Sequence, residues 1–177
     1  MTDELSPRLA RAADLPALNA LMEEAICELQ KGFLDAPQIA ASRAFMGLDS
    51  QLVADGTYFV VERAGGMVGC GGWSRRATLY GGDHSAGRDA ALLDPSRDPA
   101  RVRAMYTSPR AARQGVGRLI LSLCEAAARA EGFARVELMA TLSGEPLYRA
   151  CGYQPIERLS DGRGGVAVPL IRMGKAL

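Results

Sequence analysis

The sequence predicts an α/β protein: a mixed, mostly antiparallel central sheet of about six or seven strands flanked by about four helices. The clearest helix spans residues 116–130, where apolar side chains recur at i, i+3, i+4 and i+7. Strand-like segments at 102–107 and 135–140 flank this helix, so the three elements form a βαβ unit with adjacent parallel strands. Glycine-rich turns join other strand-like segments, which is typical of antiparallel hairpins.

The N-terminal region predicts a short strand and two helices. Residues 8–12 form the strand, and Asp14 then caps a helix that has Pro16 in its first turn. A second helix, with weaker periodicity, begins at Asp35 and continues through Met46.

A hairpin follows in residues 57–73. Its first strand, 57–63, is rich in β-branched and aromatic residues, and residues 64–66 supply the turn. Gly71 and Gly72 in the returning strand indicate a bulge or a close approach of another chain segment.

Residues 74–99 lack clear periodicity. A stretch of this length without secondary structure is uncommon inside a compact domain and is usually functional or disordered. We therefore interpret it as a long loop between two strands.

The C-terminal third predicts three further elements. Gly132 ends the long helix, and a short helix at 144–150 stops at Gly152. Residues 153–158 and 166–173 predict two strands. With no repeat and no linker, we expect residues 1–177 to form a single domain.

Composition excludes several classes of function. The formal net charge is +1, which gives no electrostatic reason to expect a nucleic-acid or membrane partner. No apolar run approaches the ~18 residues of a transmembrane helix, and residues 1–5 are too acidic and polar for a signal peptide.

The four cysteines are scattered, without a C-x-x-C pair. This pattern favours free thiols over a disulfide framework or a zinc site, so we expect no metal. Free thiols indicate the reducing cytoplasm.

The turn before the long helix has the chemistry of a phosphate site. Unpaired N–H groups and the positive end of the helix dipole meet at Arg113, Gln114, Gly115, Val116, Gly117 and Arg118. The spacing fits neither G-x-x-x-x-G-K-[ST] nor G-x-G-x-x-G, so nucleotide hydrolysis and dinucleotide binding both lose support.

Residues 102–153 resemble the acyl-CoA-binding half of the GNAT superfamily of N-acetyltransferases. The loop of that family is Arg/Gln-x-x-Gly-x-Gly/Ala, and Gly115 and Gly117 occupy its glycine positions. Ala112 stands at its first position, where the family has Arg or Gln, with Arg113 and Gln114 next to it.

A second match lies downstream, where Tyr148 to Tyr153 resemble the family's Tyr-x-x-x-Gly-Phe/Tyr. Thr141 stands where the family often has an Asn that binds pantetheine.

The resemblance implies an acetyltransferase that uses acetyl-CoA as cosubstrate and acetylates a primary amine of a small molecule or peptide in a ternary complex. Tyr148 becomes the expected general acid for the departing CoA thiolate. The implied cofactor-binding residues are Met105, Tyr106, Thr107, residues 113–118 and Thr141, and the backbone N–H near Met105 or Tyr106 would meet the thioester carbonyl. The resemblance also leaves room for a homodimer.

The general base stays open at this point. Candidates are His84, Asp83, Glu137, an acidic residue of the first helix acting through water, and Tyr106 through water. A neutral amine would need no base.

The sequence also leaves undecided which amine is the acceptor and how long the transferred acyl group is. Arg75 and Arg76 suit an anionic acceptor, whereas Asp83 and Glu28 suit a cationic one. A non-catalytic acyl-CoA-binding or sensing module is the alternative function, and transfer of a longer acyl group is a third.

Overall fold

The computed structural model describes residues 3–177. Met1 and Thr2, which belong to the segment compared with signal peptides above, lie outside the described residues. Among the described residues, no helix combines the length and the apolar character that crossing a membrane requires.

Seven strands form one sheet in the order β1-β2-β3-β4-β5-β7-β6. The strands are β1 (Ser6–Leu9), β2 (Tyr58–Arg63), β3 (Gly66–Ser74), β4 (Ala100–Thr107), β5 (Arg135–Thr141), β6 (Gln154–Asp161) and β7 (Val168–Ala176). Only β4 and β5 pair in parallel, and every other pair is antiparallel. The predicted fold class and the βαβ unit are confirmed.

Five helices cover the sheet: α1 (Leu15–Leu29), α2 (Ala36–Ser42), α3 (Ser50–Ala54), α4 (Val116–Ala130) and α5 (Glu145–Ala150). On one face, α4 packs over a core that includes Ile120, Cys124 and Leu138. On the other face, α1 packs over a second core that includes Leu18, Met22 and Val60.

Several predicted boundaries were wrong in the N-terminal region. The first strand ends at Leu9 instead of residue 12, because the Asp14 carboxylate accepts a hydrogen bond from the Arg11 N–H and turns the chain. The second helix ends at Ser42 instead of Met46. Beyond it, the backbone carbonyls of Arg43 and Ala44 make hydrogen bonds with side chains of the long loop. The five-residue helix α3 was not predicted, since it is too short to show a period.

The close approach predicted at the hairpin glycines is confirmed. The register between β3 and β4 shifts between Cys70 and Gly72, but the extra residue lies in β4, where Ala104 and Met105 stand opposite Gly71. A Cβ at Gly72 would lie 2.6 Å from the Thr57 carbonyl oxygen, which is the expected close approach.

The long loop is ordered and carries some antiparallel pairing at its base, where Ala77 N–H donates to the Ala91 oxygen. Its tip binds the segment after α2. There, the His84 ring nitrogen lies 2.6 Å from the Arg43 carbonyl oxygen, and the Ser85 hydroxyl donates to the Ala44 oxygen at 2.9 Å. The loop therefore forms a fixed wall next to β4.

Candidate active site

A cleft opens where β4 and β5 separate. The two strands pair only at Ala100 with Val136 and at Arg101 with Glu137, and they diverge beyond these residues. The edge of β4 that faces β5 is therefore unpaired along most of its length.

Strand alternation identifies the backbone groups on that open edge. The Ser108 N–H donates to the Val68 oxygen of β3 at 2.8 Å, so it points away from the cleft. Because successive N–H groups of a strand point to opposite edges, Met105 and Thr107 direct theirs into the opening, and Tyr106 directs its N–H towards β3. Met105 is thus the better placed of the two donors expected for a thioester.

A bulge at Ala104 sets the shape of β4. Ala104 has φ +51°, which is a left-handed conformation that costs an alanine about 1–2 kcal/mol. The Tyr58 hydroxyl donates to the Ala104 carbonyl at 2.6 Å and satisfies a group that the bulge removes from the ladder. A Cβ at Gly71 would lie 2.7 Å from the Met105 sulfur, so the glycine leaves room for the bulged strand.

The turn before α4, which follows the C-terminal end of β4 by a few residues, presents free amides. Among the described residues, no protein acceptor bonds the backbone N–H groups of residues 113–118. Arg113 at φ +62° and Gly115 at φ +88° both have left-handed conformations, and such turns gather consecutive N–H groups around an anion. The predicted phosphate residues therefore lie together.

The two glycines of this turn have different surroundings. A Cβ at Gly115 would meet nothing within 4 Å, so only its conformation favours glycine. A Cβ at Gly117 would lie 2.6 Å from the Leu147 Cδ2, so Gly117 allows α4 to approach α5.

Tyr148 of α5 lines the cleft, and its ring packs edge-on against Tyr153 with centroids 5.9 Å apart. Its hydroxyl has no hydrogen-bond partner among residues 3–177. Burial raises the pKa of Tyr148 above its ordinary value, so the phenol stays protonated at neutral pH and can donate into the cleft.

Thr141 also lines the cleft, at the end of β5. Its hydroxyl accepts a hydrogen bond from the Gly144 N–H at 3.2 Å and lies 3.0 Å from the Ser143 hydroxyl. These contacts form the turn into α5, which carries Tyr148.

The opposite wall of the cleft consists of residues 45–47 and residues 79–82 of the long loop. Tyr106 connects this wall to β4, because its hydroxyl oxygen accepts a hydrogen bond from the Gly47 N–H at 2.9 Å. The phenol proton of Tyr106 stays available to the cleft, and burial raises the Tyr106 pKa.

None of the candidate bases on the loop or on β5 lines the cleft. The ring of His84 is bound to the Arg43 oxygen, and the Asp83 carboxylate accepts the Ser50 N–H at 3.0 Å. Glu137 lies between Arg101 and Arg172, to which it pairs at 3.0 and 2.5 Å.

The acidic residues of α1 are also occupied elsewhere. Glu23 pairs with Arg43, Glu24 with Arg110 at 3.8 Å, and Glu28 with Lys31. The described residues that line the cleft include no carboxylate and no imidazole.

The two arginines considered for an anionic acceptor point away from the cleft. Arg75 pairs with Glu131, and Arg76 pairs with Asp55 at 2.7 Å. Neither lines the cleft.

Sequence reasoning missed Arg103 and Asp49. Arg103 lines the cleft with its side chain only 3% exposed, and its Nη2 lies 2.6 Å from the Asp49 Oδ2. The alternation of Arg101 and Arg103 with apolar residues in β4 was the available signal, since a charged residue inside a strand needs a partner.

The comparisons with known proteins agree with this geometry. Residues 54–155, more than half of the chain, match the family model described as the acetyltransferase (GNAT) domain. A comparison with curated protein sequences finds no significant match.

Solved structures share the whole architecture. A GCN5-related N-acetyltransferase from Rhodopseudomonas palustris is 20% identical, with a TM-score of 0.71, and the match covers 100% of this chain and 97% of that one. The PaiA N-acetyltransferase from Thermoplasma acidophilum, solved with coenzyme A, is 12% identical, with a TM-score of 0.68 and coverage of 98% and 99%.

The acetyltransferase YncA from Salmonella typhimurium, solved with acetyl-CoA, is 17% identical, with a TM-score of 0.64 and coverage of 98% of this chain and 94% of that one. Because these three structures are only 12–20% identical to this chain, their similarity supports the fold alone. The family model covers the turn, both strands β4 and β5, and Tyr148, and with it we conclude that the chain belongs to the GNAT superfamily of N-acetyltransferases.

Proposed function

We propose that residues 1–177 act as a single N-acetyltransferase domain that moves an acetyl group from acetyl-CoA to a primary amine of a small molecule or peptide. The observation that carries this proposal is the open β4–β5 cleft, with the free Tyr148 hydroxyl on its wall and with free amides in the turn that follows β4. We also propose a cytoplasmic location, supported by the four free thiols.

The residues present fit acetyl-CoA. The amides of residues 113–118 would hold the pyrophosphate, because unpaired N–H groups at a helix N-terminus attract anions. The unpaired edge of β4 would receive the pantetheine arm as an added strand, and Thr141, which lines the cleft, would contact it. The coenzyme A and acetyl-CoA complexes of the two structural neighbours support this assignment.

Acetyl-CoA supplies the acetyl group as a thioester. The Met105 N–H would stabilise the negative charge that develops on the thioester oxygen as the amine attacks. Strand alternation and the bulge at Ala104 support Met105 in this role.

Tyr148 would assist the departing sulfur. Since burial raises the Tyr148 pKa above the ~8.5 of a thiol, donation of a hydrogen bond to the thiolate is favoured over complete proton transfer. A hydrogen bond to a charged partner of this kind contributes about 1.5–3 kcal/mol.

We propose that the amine reacts without a dedicated protein base. The lining residues offer no carboxylate or imidazole. The raised pKa of Tyr106 also makes its phenolate scarce at neutral pH, so it is a poor base. The amine would enter as its neutral form, or lose its proton to water.

Direct attack in a ternary complex is supported by the absence of a thiol from the described cleft lining. Two of the cysteines, Cys70 and Cys124, are fully buried in the cores, and burial raises the pKa of the Cys70 thiol to about 12. A buried neutral thiol is a poor nucleophile.

Calorimetry with acetyl-CoA, followed by measurement of CoA release with a broad panel of amines, tests the proposal. We expect binding and amine-dependent release. Binding without release for every amine would support the sensing module instead. Acyl-CoAs of different chain lengths would show whether a longer group is the true donor.

A further inference from the structure

The acceptor end of the cleft contains a buried guanidinium that the protein does not fully satisfy. All polar contacts of Arg103 among the described residues run through Nη2, which meets Asp49 and the Gly81 carbonyl oxygen. Its Nε is buried without a hydrogen-bond partner in residues 3–177. An unsatisfied donor in a buried guanidinium is costly, so its presence calls for an explanation.

The charge of Arg103 is also incompletely compensated. Asp49, only 1% exposed, is shared between Arg103 and Arg88, whose Nη2 lies 3.0 Å from the Asp49 Oδ1. Two guanidinium groups on one carboxylate leave one positive charge. Asp83 lies nearby, but its carboxylate is exposed to solvent and bonded to the Ser50 N–H.

Arg101 of the same strand resembles Arg103 in several respects. Its Nε is also buried without a hydrogen-bond partner in residues 3–177, and it shares Glu137 with Arg172. Burial lowers the pKa of both arginines, so neither the unpaired Nε nor the pKa direction distinguishes them. Arg103 differs because it lines the cleft, where its guanidinium can meet a further anion, whereas Arg101 does not line it.

The surroundings of Arg103 restrict what that anion can belong to. The nearby walls are largely apolar and aromatic, with Phe45, Met46, Leu79 and Leu170 among the lining residues. Met105, the proposed contact of the thioester, is two residues away along β4, across the bulge at Ala104, and also lines the cleft. One small molecule can thus place an anionic group near Arg103 and its amine at the thioester.

We propose that the acceptor is an amino acid or a similar small amine that carries a carboxylate, and that Arg103 binds this carboxylate. This inference rests on the proposed acetyltransferase function. The positive charge also favours the neutral form of the nearby amine, which fits a site without a base. Cationic polyamines are disfavoured for the same reason.

The test compares each of the twenty amino acids with its own carboxamide, which replaces the anion by a neutral amide. Because this change also lowers the pKa of the amine, kcat/KM is calculated for the concentration of the neutral amine in both cases. Spermidine and phenethylamine represent amines without a carboxylate. We expect the best acceptor to be a free amino acid and its carboxamide to have a kcat/KM lower by roughly 10-fold or more, as expected for a lost charge-assisted hydrogen bond.

Arg103→Gln and Arg101→Gln form a matched pair of variants. Both arginines lie on β4, and each shares its carboxylate with a second arginine. Asp49 therefore keeps Arg88 as a partner in Arg103→Gln, and Glu137 keeps Arg172 as a partner in Arg101→Gln. Arg103→Gln should raise the KM for the amino acid about 10-fold or more and leave the KM for the carboxamide unchanged. Arg101→Gln should leave both unchanged.

Two results would overturn this inference while keeping the acetyltransferase: equal kcat/KM for the best amino acid and its carboxamide, or turnover confined to amines without a carboxylate. Acetyl-CoA binding without acetylation of any amine would overturn both proposals. If Arg103→Gln does not fold, the comparison of amino acids with their carboxamides on the unaltered protein still shows whether the acceptor needs a carboxylate.

Discussion

Gly117 of α4 faces Leu147 of α5 so closely that a Cβ on residue 117 would lie 2.6 Å from the leucine Cδ2. The glycine that the sequence assigned to the phosphate turn therefore also sets the spacing between two helices. One of these helices starts at the amide-rich turn, and the other carries Tyr148. The contact links the two ends of the proposed acetyl-CoA site.

Gly117→Ala should destabilise the protein by about 1–3 kcal/mol, because the added methyl group overpacks this contact. The free energy of unfolding from urea titration measures the effect. Since the obstructing atom is the end of a flexible side chain, Leu147→Ala in the same chain should recover part of the loss. Gly115→Ala is the control: it is strained by its left-handed conformation, and Leu147→Ala should not relieve it. Equal effects of Leu147→Ala in both backgrounds would contradict the account.

Tyr148→Phe should lower kcat by roughly 10- to 100-fold, because a hydrogen bond to the departing sulfur is lost. The Kd for acetyl-CoA from calorimetry should change little. Tyr153→Phe is the comparison variant, since the Tyr153 hydroxyl bonds Glu125 at 3.0 Å and lies outside the cleft lining. Full turnover of Tyr148→Phe across the pH range would remove Tyr148 from the mechanism.

The pH dependence should follow the acceptor amine. With no base in the cleft lining and with the Tyr148 pKa raised above 10, log kcat/KM should rise with unit slope up to the pKa of the acceptor. It should show no fall from Tyr148 ionisation below pH ~10. A raised pKa keeps the Tyr148 phenol protonated to higher pH.

His84→Gln should leave this pH profile unchanged and alter kcat/KM by less than about twofold, because glutamine can keep a hydrogen bond to the Arg43 oxygen. The measurement is kcat/KM between pH 5.5 and 9. If the variant lost an inflection that the unaltered protein shows, His84 would be the base after all.

Tyr58→Phe should destabilise the protein by about 1–3 kcal/mol, because the Ala104 carbonyl loses the donor that satisfies it at the bulge. Thermal or urea unfolding measures the loss. Ala104→Gly removes the strain of the left-handed alanine and should be neutral or slightly stabilising. Marked destabilisation by Ala104→Gly would show that the bulge is not strained.

Local patterns accounted for most of the fold. The periodicity of residues 116–130 gave α4 within a residue, and Gly132 ends it with φ +92° as expected. The second helix begins where expected, but it ends at Ser42 instead of Met46, and beyond it the Arg43 and Ala44 carbonyls bind His84 and Ser85. That choice depends on contacts between distant parts of the chain, which a local pattern does not contain.

The same distinction applies to the site. The turn at residues 113–118 and Tyr148 follow from short motifs, so both could be predicted, although their roles as binding and catalytic groups are still proposals. Arg103 and Asp49 come together only through the fold, and Arg103 reaches the cleft only because β4 separates from β5. The candidate bases His84 and Glu137 carry groups that can accept a proton, but contacts with the Arg43 carbonyl and with Arg172 hold them outside the cleft lining.

The central claim, direct acetyl transfer from acetyl-CoA to an amine, is tested most directly by mass spectrometry of complete reaction mixtures. The protein is incubated with acetyl-CoA alone, and with acetyl-CoA plus the amine panel. We predict acetylated amine and free CoA in equal amounts only when both substrates are present, with no acetyl group on the protein. Acetyl-protein that forms without amine and is consumed when amine is added, or CoA release without acetylated amine, would contradict the account.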